Sequence, residues 1–254
     1  AYTQPQMYDR IKKHSPVRAL YAEKLVAEGV VTADEAEQLA TEAYETVAKA
    51  HAELKDSMAG PPDTGAYEVD TTMSREPKTT LPEDLLRSLN EQIVSVPDGF
   101  SVHRKLKPFL KRRVDAAAEG GPVDWAHAES LAFASLMALG VPIRLTGQDS
   151  ERGTFSQRHL VLHDSETGEQ YTPLAHLPSA SAPFELHNSP LSEMACLGFE
   201  YGYSIQDPDS LVLWEAQFGD FVNSGQVILD QFITSGLAKW GQTSRLTLLL
   251  PHGY

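Results

Sequence analysis

The sequence predicts an α/β protein, a mostly parallel sheet with helices on both faces, preceded by an α-helical segment. Three features carry this expectation. The continuous apolar runs "VPIRLT", "SLVLWEAQF" and "RLTLLL" read as short strands covered on both faces. Helical patterns stand between them, the connection that parallel strands need. Residues 1–58 are helical in pattern throughout.

In chain order, Gly29 closes one helix of the first segment. Thr32 caps the next, with Glu35 three residues on as its capping-box partner. This second helix is rich in Ala and Glu, and its thin apolar stripe suits packing on a larger body. The stretch "AGPPDTGAYEVDTTMSREPKTT" (59–80) has no sustained period and reads as a linker. A helix is expected from Pro82 through Val94, a loop at Pro97–Gly99 and a basic helix near 104–118. In "DWAHAESLAFASLMALG", Trp125, Ala128, Leu131, Ala132, Leu136 and Leu139 recur at helical spacing until Gly140. "RHLVLHDSETGEQYTPL" reads as a hairpin around "SETG". "SPLSE" reads as a helix start, with Asn188 or Ser189 capping and Pro190 in the first helical position. "FVNSGQVILDQFITSGLAKW" is expected to form one helix before the last strand.

With 254 residues the chain can bury a sizeable core. No apolar run is long enough to span a bilayer, and the polar start "AYTQPQMYDRIKK" has no signal-peptide pattern. Because the chain starts without Met and stops just after an apparent buried strand, it reads as a section of something longer. Cys196, the single cysteine, excludes an internal disulfide and is expected as a buried structural thiol. The 35 acidic residues outweigh 21 basic ones, a net charge of −14 that argues against nucleic acid or an anionic membrane as partner. The basic run "HRKLKPFLKRR" (103–113) reads as a solvated face or a contact to an acidic neighbour.

Several signatures are missing: a GxGxxG after a strand, a GxxxxGK[ST] loop, a GxSxG elbow and an HExxH pair. The first absence argues against a nicotinamide-dependent oxidoreductase. His159 and His163 fall on one face of a predicted strand but lack a third ligand, so no metal residues are assigned. "LTGQDSERGTFSQRH" must satisfy its own polar groups through pairs among Asp149, Arg152 and Arg158, or meet a partner that does.

In sheets of this kind ligands gather at the carboxyl ends of strands. The segments expected there are Thr146–Asp149, Glu215–Asp220 and Pro251–Tyr254, and helix starts share that rim. Glu193 therefore belongs to it, with Gln217, Phe218 and Phe221 as neighbours. Glu193 also raises a chemical question, because it opens an otherwise apolar helix. Either it is a solvated carboxylate that favours the helix dipole or it has a partner.

The stretches "LTGQDSERGTFSQRHLVLHD", "SPLSEMACLGFEYGYS", "LVLWEAQFGDFVNSGQVILDQFI", "LLLPHGY" and "YTQPQMYDRIKKHSPV" resemble the thiamin-diphosphate-dependent first component of the 2-oxoglutarate dehydrogenase complex. The resemblance runs along nearly the whole chain and is poor only over 50–95. It implies a helical tail and linker at 1–95, behind a diphosphate-binding domain. Residues 96–254 would then be a transketolase-like pyrimidine-binding domain, incomplete at its C-terminal end. It further implies thiamin diphosphate held between two subunits, with the Mg²⁺ ligands outside this chain. Glu193 matches the glutamate that hydrogen-bonds the aminopyrimidine ring, and its apolar setting would raise its pKa. Phe221 matches the aromatic packed on that ring, and Leu191 and Gln217 match positions near it. His159 and His252 take no assigned role. The implied activity is oxidative decarboxylation of 2-oxoglutarate with succinyl transfer to a lipoyl group, in the tricarboxylic acid cycle. The implied partners are a second copy of the protein and a lipoyl-bearing succinyltransferase, in the bacterial cytoplasm or mitochondrial matrix. A related 2-oxo acid decarboxylase and a non-catalytic binding or assembly module are the alternatives.

Overall fold

Capping chemistry sets the helix ends of the first segment. The computed structural model describes residues 3–57, 79–119 and 121–253. The chain divides into two compact units, Asp9–Thr79 and Ala1–Tyr8 with Thr80–Tyr254. The expected linker at 59–80 lies outside the described residues except for its last two positions. Helices α1 (Pro5–Lys13), α2 (Val17–Ala27) and α3 (Ala33–Ser57) make up most of residues 3–57. Past α2, Gly29 takes φ +69°. Val30 N–H then donates to Leu25 O and Gly29 N–H to Val26 O, the paired bonds of a Schellman end. The capping box of α3 is made both ways: Glu35 N–H donates to Thr32 Oγ1 at 3.2 Å, and Thr32 N–H to Glu35 Oε2 at 2.8 Å.

The second unit holds α4 (Glu83–Val94), α5 (Lys107–Glu119) and α6 (Trp125–Ala138), then β1 (Ile143–Gly147). Asp124 caps α6 by accepting from His127 N–H at 2.8 Å. The short hairpin β2 (Leu162–His163) and β3 (Gln170–Tyr171) forms around "SETG" as expected. Asp164 holds its turn by accepting from Ser101, Glu166 and Thr167 N–H groups. Next come β4 (Phe184–Asn188), α7 (Glu193–Gln206) and β5 (Leu211–Glu215). A broken helical stretch leads from there to β6 (Thr247–Leu249).

Strand order is β4-β1-β5-β6, every pair parallel. Alternation along the strands feeds two cores. Ile143, Leu145, Phe184 and Leu213 pack with Leu89, Ile93, Phe133 and Met137 of α4 and α6. Trp214 and Ala216 pack with Cys196 and Leu197 of α7. The sheet is thus covered on both faces, as the unbroken apolar runs implied.

Three local expectations need correction. β4 has no counterpart among the strands expected from the sequence: it is a short edge strand whose Glu185 and His187 break the apolar run, a composition suited to an exposed edge. α7 begins at Glu193, capped by Ser192, whose Oγ accepts from Ala195 N–H at 3.4 Å. Ser189 is already committed, its N–H to Gly147 O and its hydroxyl to Leu191 N–H, so Pro190 stays outside the helix. The stretch expected as one helix is a 3₁₀ turn (Gly219–Gly225), α8 (Gln226–Ile228), a π-helical turn (Leu229–Ile233) and α9 (Gly236–Trp240). Thr234 and Ser235 hydroxyls bond the carbonyls of Leu229 and Asp230, competing with a regular ladder. Gly225 and Gly236 lie so close to Leu197 and Tyr201 that a Cβ at either would stand 2.9 and 2.4 Å from those side chains.

Gly147 has a similar constraint at the end of β1, where a Cβ would lie 2.1 Å from Glu215 O. Gly147→Ala is expected to cost about 1–3 kcal/mol, read as a lower denaturation midpoint. A second prediction concerns His159, which is buried at φ +49° with its ring edge-on to Phe109. Burial above all, against a hydrogen bond to Ser156 and helped by Arg113 and Arg152, pushes its pKa down to about 4. The unfolded residue takes up its proton near pH ~6.5, so unfolding binds a proton between the two values. Stability should therefore fall as pH drops from about 6.5 toward 4 and be flat above that window. Denaturant midpoints of His159→Asn, which tolerates the positive φ, should lose that part of the pH slope.

Candidate functional site

The carboxyl ends of β1 and β5 meet the start of α7, and there three of the four residues singled out by the sequence come together. Leu191, Glu193 and Gln217 line one small cavity with Gly147, Gln148, Cys196, Trp214 and Glu215. Its volume, ≈ 10 Å³, is about that of one water. Glu193 is half-buried in the first turn, where the helix dipole favours its charge. Glu200 and Glu215 are ion-paired, whereas Glu193 has no cationic partner among the described residues. Cys196 is buried as expected, and burial pushes its thiol pKa up.

Phe221, the fourth residue, is not in that wall. It lies on the 3₁₀ turn, 43% exposed, its ring 6.1 Å from Phe218 at 66°. Phe218 in turn meets His252 at 4.9 Å and Phe155 at 6.4 Å, so Phe221 belongs to an aromatic cluster beside the cavity. His252 Nε2 stands 3.1 Å from Asp220 Oδ1, and that contact raises its pKa. The rim segments do adjoin: Ala216 N–H donates to Leu249 O and Gly219 N–H to Pro251 O.

Loop 148–159 closes on itself and on the cavity. Arg158 and His159 N–H groups both donate to Arg152 O, and Leu160 N–H to Glu151 O. Asp149 pairs with Arg152 at 2.9 Å, the self-satisfying contact the sequence allowed. Outward, Gln148 Nε2 donates to Leu191 O at 3.2 Å, Gln217 Nε2 to Asp149 Oδ2 at 3.0 Å, and Thr154 Oγ1 to Gln217 O. Arg158 instead leaves the loop and enters the core beside Glu129 of α6 and Glu215 of β5. Burial opposes its charge, but the bonds from Glu215 and Glu129 outweigh that and hold its pKa above the usual value. On the opposite sheet face Arg144 lies between Glu200 at 2.8 Å and Glu185 at 2.5 Å, stacked over the Tyr203 ring at 4.6 Å.

Neither buried carboxylate of these clusters, Glu215 or Glu200, was singled out from the sequence. The signal was available: Glu215 ends an apolar strand and Glu200 sits two turns into an apolar helix, and a buried acid requires a cation. The histidine pair reads differently in the fold. β2 contains only Leu162 and His163, and His159 lies before it in the loop at positive φ, so the two do not share a strand face. Among the described residues no group of three or more His, Cys, Asp or Glu could hold a metal ion.

Residues 121–254 match the family described as transketolase, pyrimidine binding domain. A 2-oxoglutarate dehydrogenase E1 component of Geobacillus kaustophilus (strain HTA426) is 54% identical over 259 residues, covering 99% of this chain and 27% of the relative. Proteins of the same name from Geobacillus sp. (strain WCH70) and Bacillus cereus (strain B4264) are 51% and 49% identical, again with 27% of each relative covered. The chain thus spans about a quarter of the length of these relatives, and its α/β unit carries the matched domain. With the match extending over more than half of its residues, the chain belongs to the transketolase pyrimidine-binding domain family.

Proposed function

We propose that the α/β unit supplies the pyrimidine-side half of a thiamin-diphosphate site in the first component of a 2-oxoglutarate dehydrogenase, with Glu193 as the proton partner of the cofactor's aminopyrimidine ring. The observation that carries this reading is the meeting of Leu191, Glu193 and Gln217 on one cavity wall. It is supported by about 50% identity, along the whole chain, to proteins named as that component.

The donor set suits half of such a cofactor. A carboxylate beside Leu191, Cys196 and Trp214 is a hydrogen-bond acceptor for a protonated ring nitrogen. When bound, thiamin diphosphate supplies an electron sink for loss of CO₂ from a 2-oxo acid. Glu193 holds and returns the proton at the ring nitrogen. Leu191 limits where the ring lies, Gln217 fixes its edge, and Phe221 offers a face from the adjoining cluster. The Mg²⁺ that such a cofactor carries is assigned, in this reading, to ligands of another domain.

A second copy of the protein is the proposed cover for the outer side of α7. There Met194 and Phe199 are exposed, and an apolar groove runs between Tyr201, Ile205, Ile228, Phe232 and Trp240. Succinyl transfer to a lipoyl-bearing component of the multienzyme complex, in the tricarboxylic acid cycle, and a cytoplasmic location complete the reading. No described helix is long and apolar enough to cross a membrane.

The test is 2-oxoglutarate decarboxylation by the full-length protein, with thiamin diphosphate and Mg²⁺ titrated in. Glu193→Gln should lower turnover on the order of 100-fold or more with the fold retained, the usual scale for a lost proton-transfer group. Near-normal turnover would return Glu193 to a helix-start carboxylate and remove the site assignment. A wild type inert toward 2-oxo acids would favour the non-catalytic module.

A further inference from the structure

The geometry points to Arg158 as the positioning residue of this half-site: it locks loop 148–159 to the end of β5, and the loop sets where Leu191 and Gln217 stand. This inference rests on the cofactor reading above and adds to it a group that would touch neither cofactor nor substrate.

A guanidinium has five N–H donors in a rigid fork, and Arg158 uses all of them. Nε donates to Glu129 Oε2 at 2.8 Å and Nη2 to Glu129 Oε1 at 3.0 Å. Nη1 donates to Glu215 Oε1 at 2.7 Å and to Ser150 O at 3.1 Å, and Nη2 also donates to Glu215 Oε2. The side chain is 3% exposed, and Glu215 is 1% exposed. One group therefore ties a helix, a strand end and the near side of the loop together. Its backbone closes the loop as well, through Arg152 O. A lysine ammonium in this place has three donors and no planar fork, so it could not span the same three partners.

The loop needs such an anchor. Asp149 and Ser156 adopt φ +59° and +56°, left-handed values that surrounding structure must enforce on residues other than glycine. Ser150 is fully buried, with no partner for its hydroxyl among the described residues, and its carbonyl accepts from Arg158, while next to it Glu151 N–H donates to Asn188 Oδ1 at 3.1 Å. The contacts that leave the loop toward the site reach the assigned residues: Leu191 through Gln148, and Gln217 through Asp149 and Thr154. Stability alone is a weak reason for the cluster. Buried ion pairs can often be replaced by apolar groups without loss, whereas a fork joined to three elements fixes geometry. Glu215 closes the chain of contacts, since it also lines the cavity beside Glu193.

Arg158→Met alone would leave Glu215 buried without a cation and endanger the fold, so the decisive variant is Arg158→Met/Glu215→Gln in the full-length protein. Thermal melting reports the fold, and titration with thiamin diphosphate in the presence of Mg²⁺ reports the site. The double variant should melt cooperatively yet bind thiamin diphosphate roughly tenfold or more weakly, the scale of one lost charge-assisted hydrogen bond. Turnover should fall with it. Thr154→Val, which cuts one of the two ties to Gln217, should weaken binding in the same direction without lowering the melting temperature. A folded double variant with wild-type affinity and turnover, or one changed only in melting temperature, would overturn the inference. Should the double variant not fold, an unchanged affinity in Thr154→Val overturns it as well. Glu193→Gln in parallel separates the two levels. If it too leaves turnover and cofactor binding unchanged, the cofactor reading falls and this inference with it. If it alone lowers turnover, only the role of Arg158 is refuted.

Discussion

The parallel pairing of β1 with β5 is the constraint on which the rest of the α/β unit depends. Gly147 stands opposite Glu215 in register, and the absence of a side chain there lets the two strand ends approach. Side chains alternate between faces, so this one register decides which residues meet which helices. Ile143, Leu145 and Leu213 face α4 and α6, and Glu215 reaches the same side, where Glu129 of α6 and Arg158 are found. Arg144 and Trp214 face α7. A slip of one residue would bury Arg144 against the apolar helices and turn Glu215 away from its guanidinium.

Each face of the sheet thus carries an arginine held between two carboxylates, one of them buried. On one face Arg144 joins Glu200 of α7 to Glu185 of the edge strand. On the other Arg158 joins Glu129 to Glu215. Such clusters tie elements together with directional bonds that apolar contacts do not supply. Glu193, by contrast, is a rim carboxylate with no ion pair among the described residues, at a helix end that favours its charge. In the proposed function its partner is a ring nitrogen.

Much of the fold was legible because it follows from local chemistry. The capping box at Thr32 and Glu35, the glycine ends at Gly29 and Gly140, the apolar strands and the "SETG" hairpin each express a short-range preference. Where local rules pointed the wrong way, tertiary contacts had taken over. Ser189 was drawn into the strand edge, so Ser192 caps α7. The stretch after Phe218 broke into 3₁₀, α and π turns because its glycines pack against α7 and its hydroxyls bond carbonyls. β4 was hidden by the polar residues that suit it to an edge.

By itself the sequence determined the fold class and the family, and it led to the expectation that Glu193, Leu191, Gln217 and Phe221 lie near the rim formed by the strand ends. Only the tertiary structure decided which of these share a wall: Leu191, Glu193 and Gln217 do, while Phe221 joins the aromatic cluster next to them. It also decided that Arg158 leaves its own loop to meet Glu215, 57 residues away along the chain. No local pattern encodes that meeting. It comes from strand register and from the need of a buried acid for a cation, and both operate only once the sheet has formed.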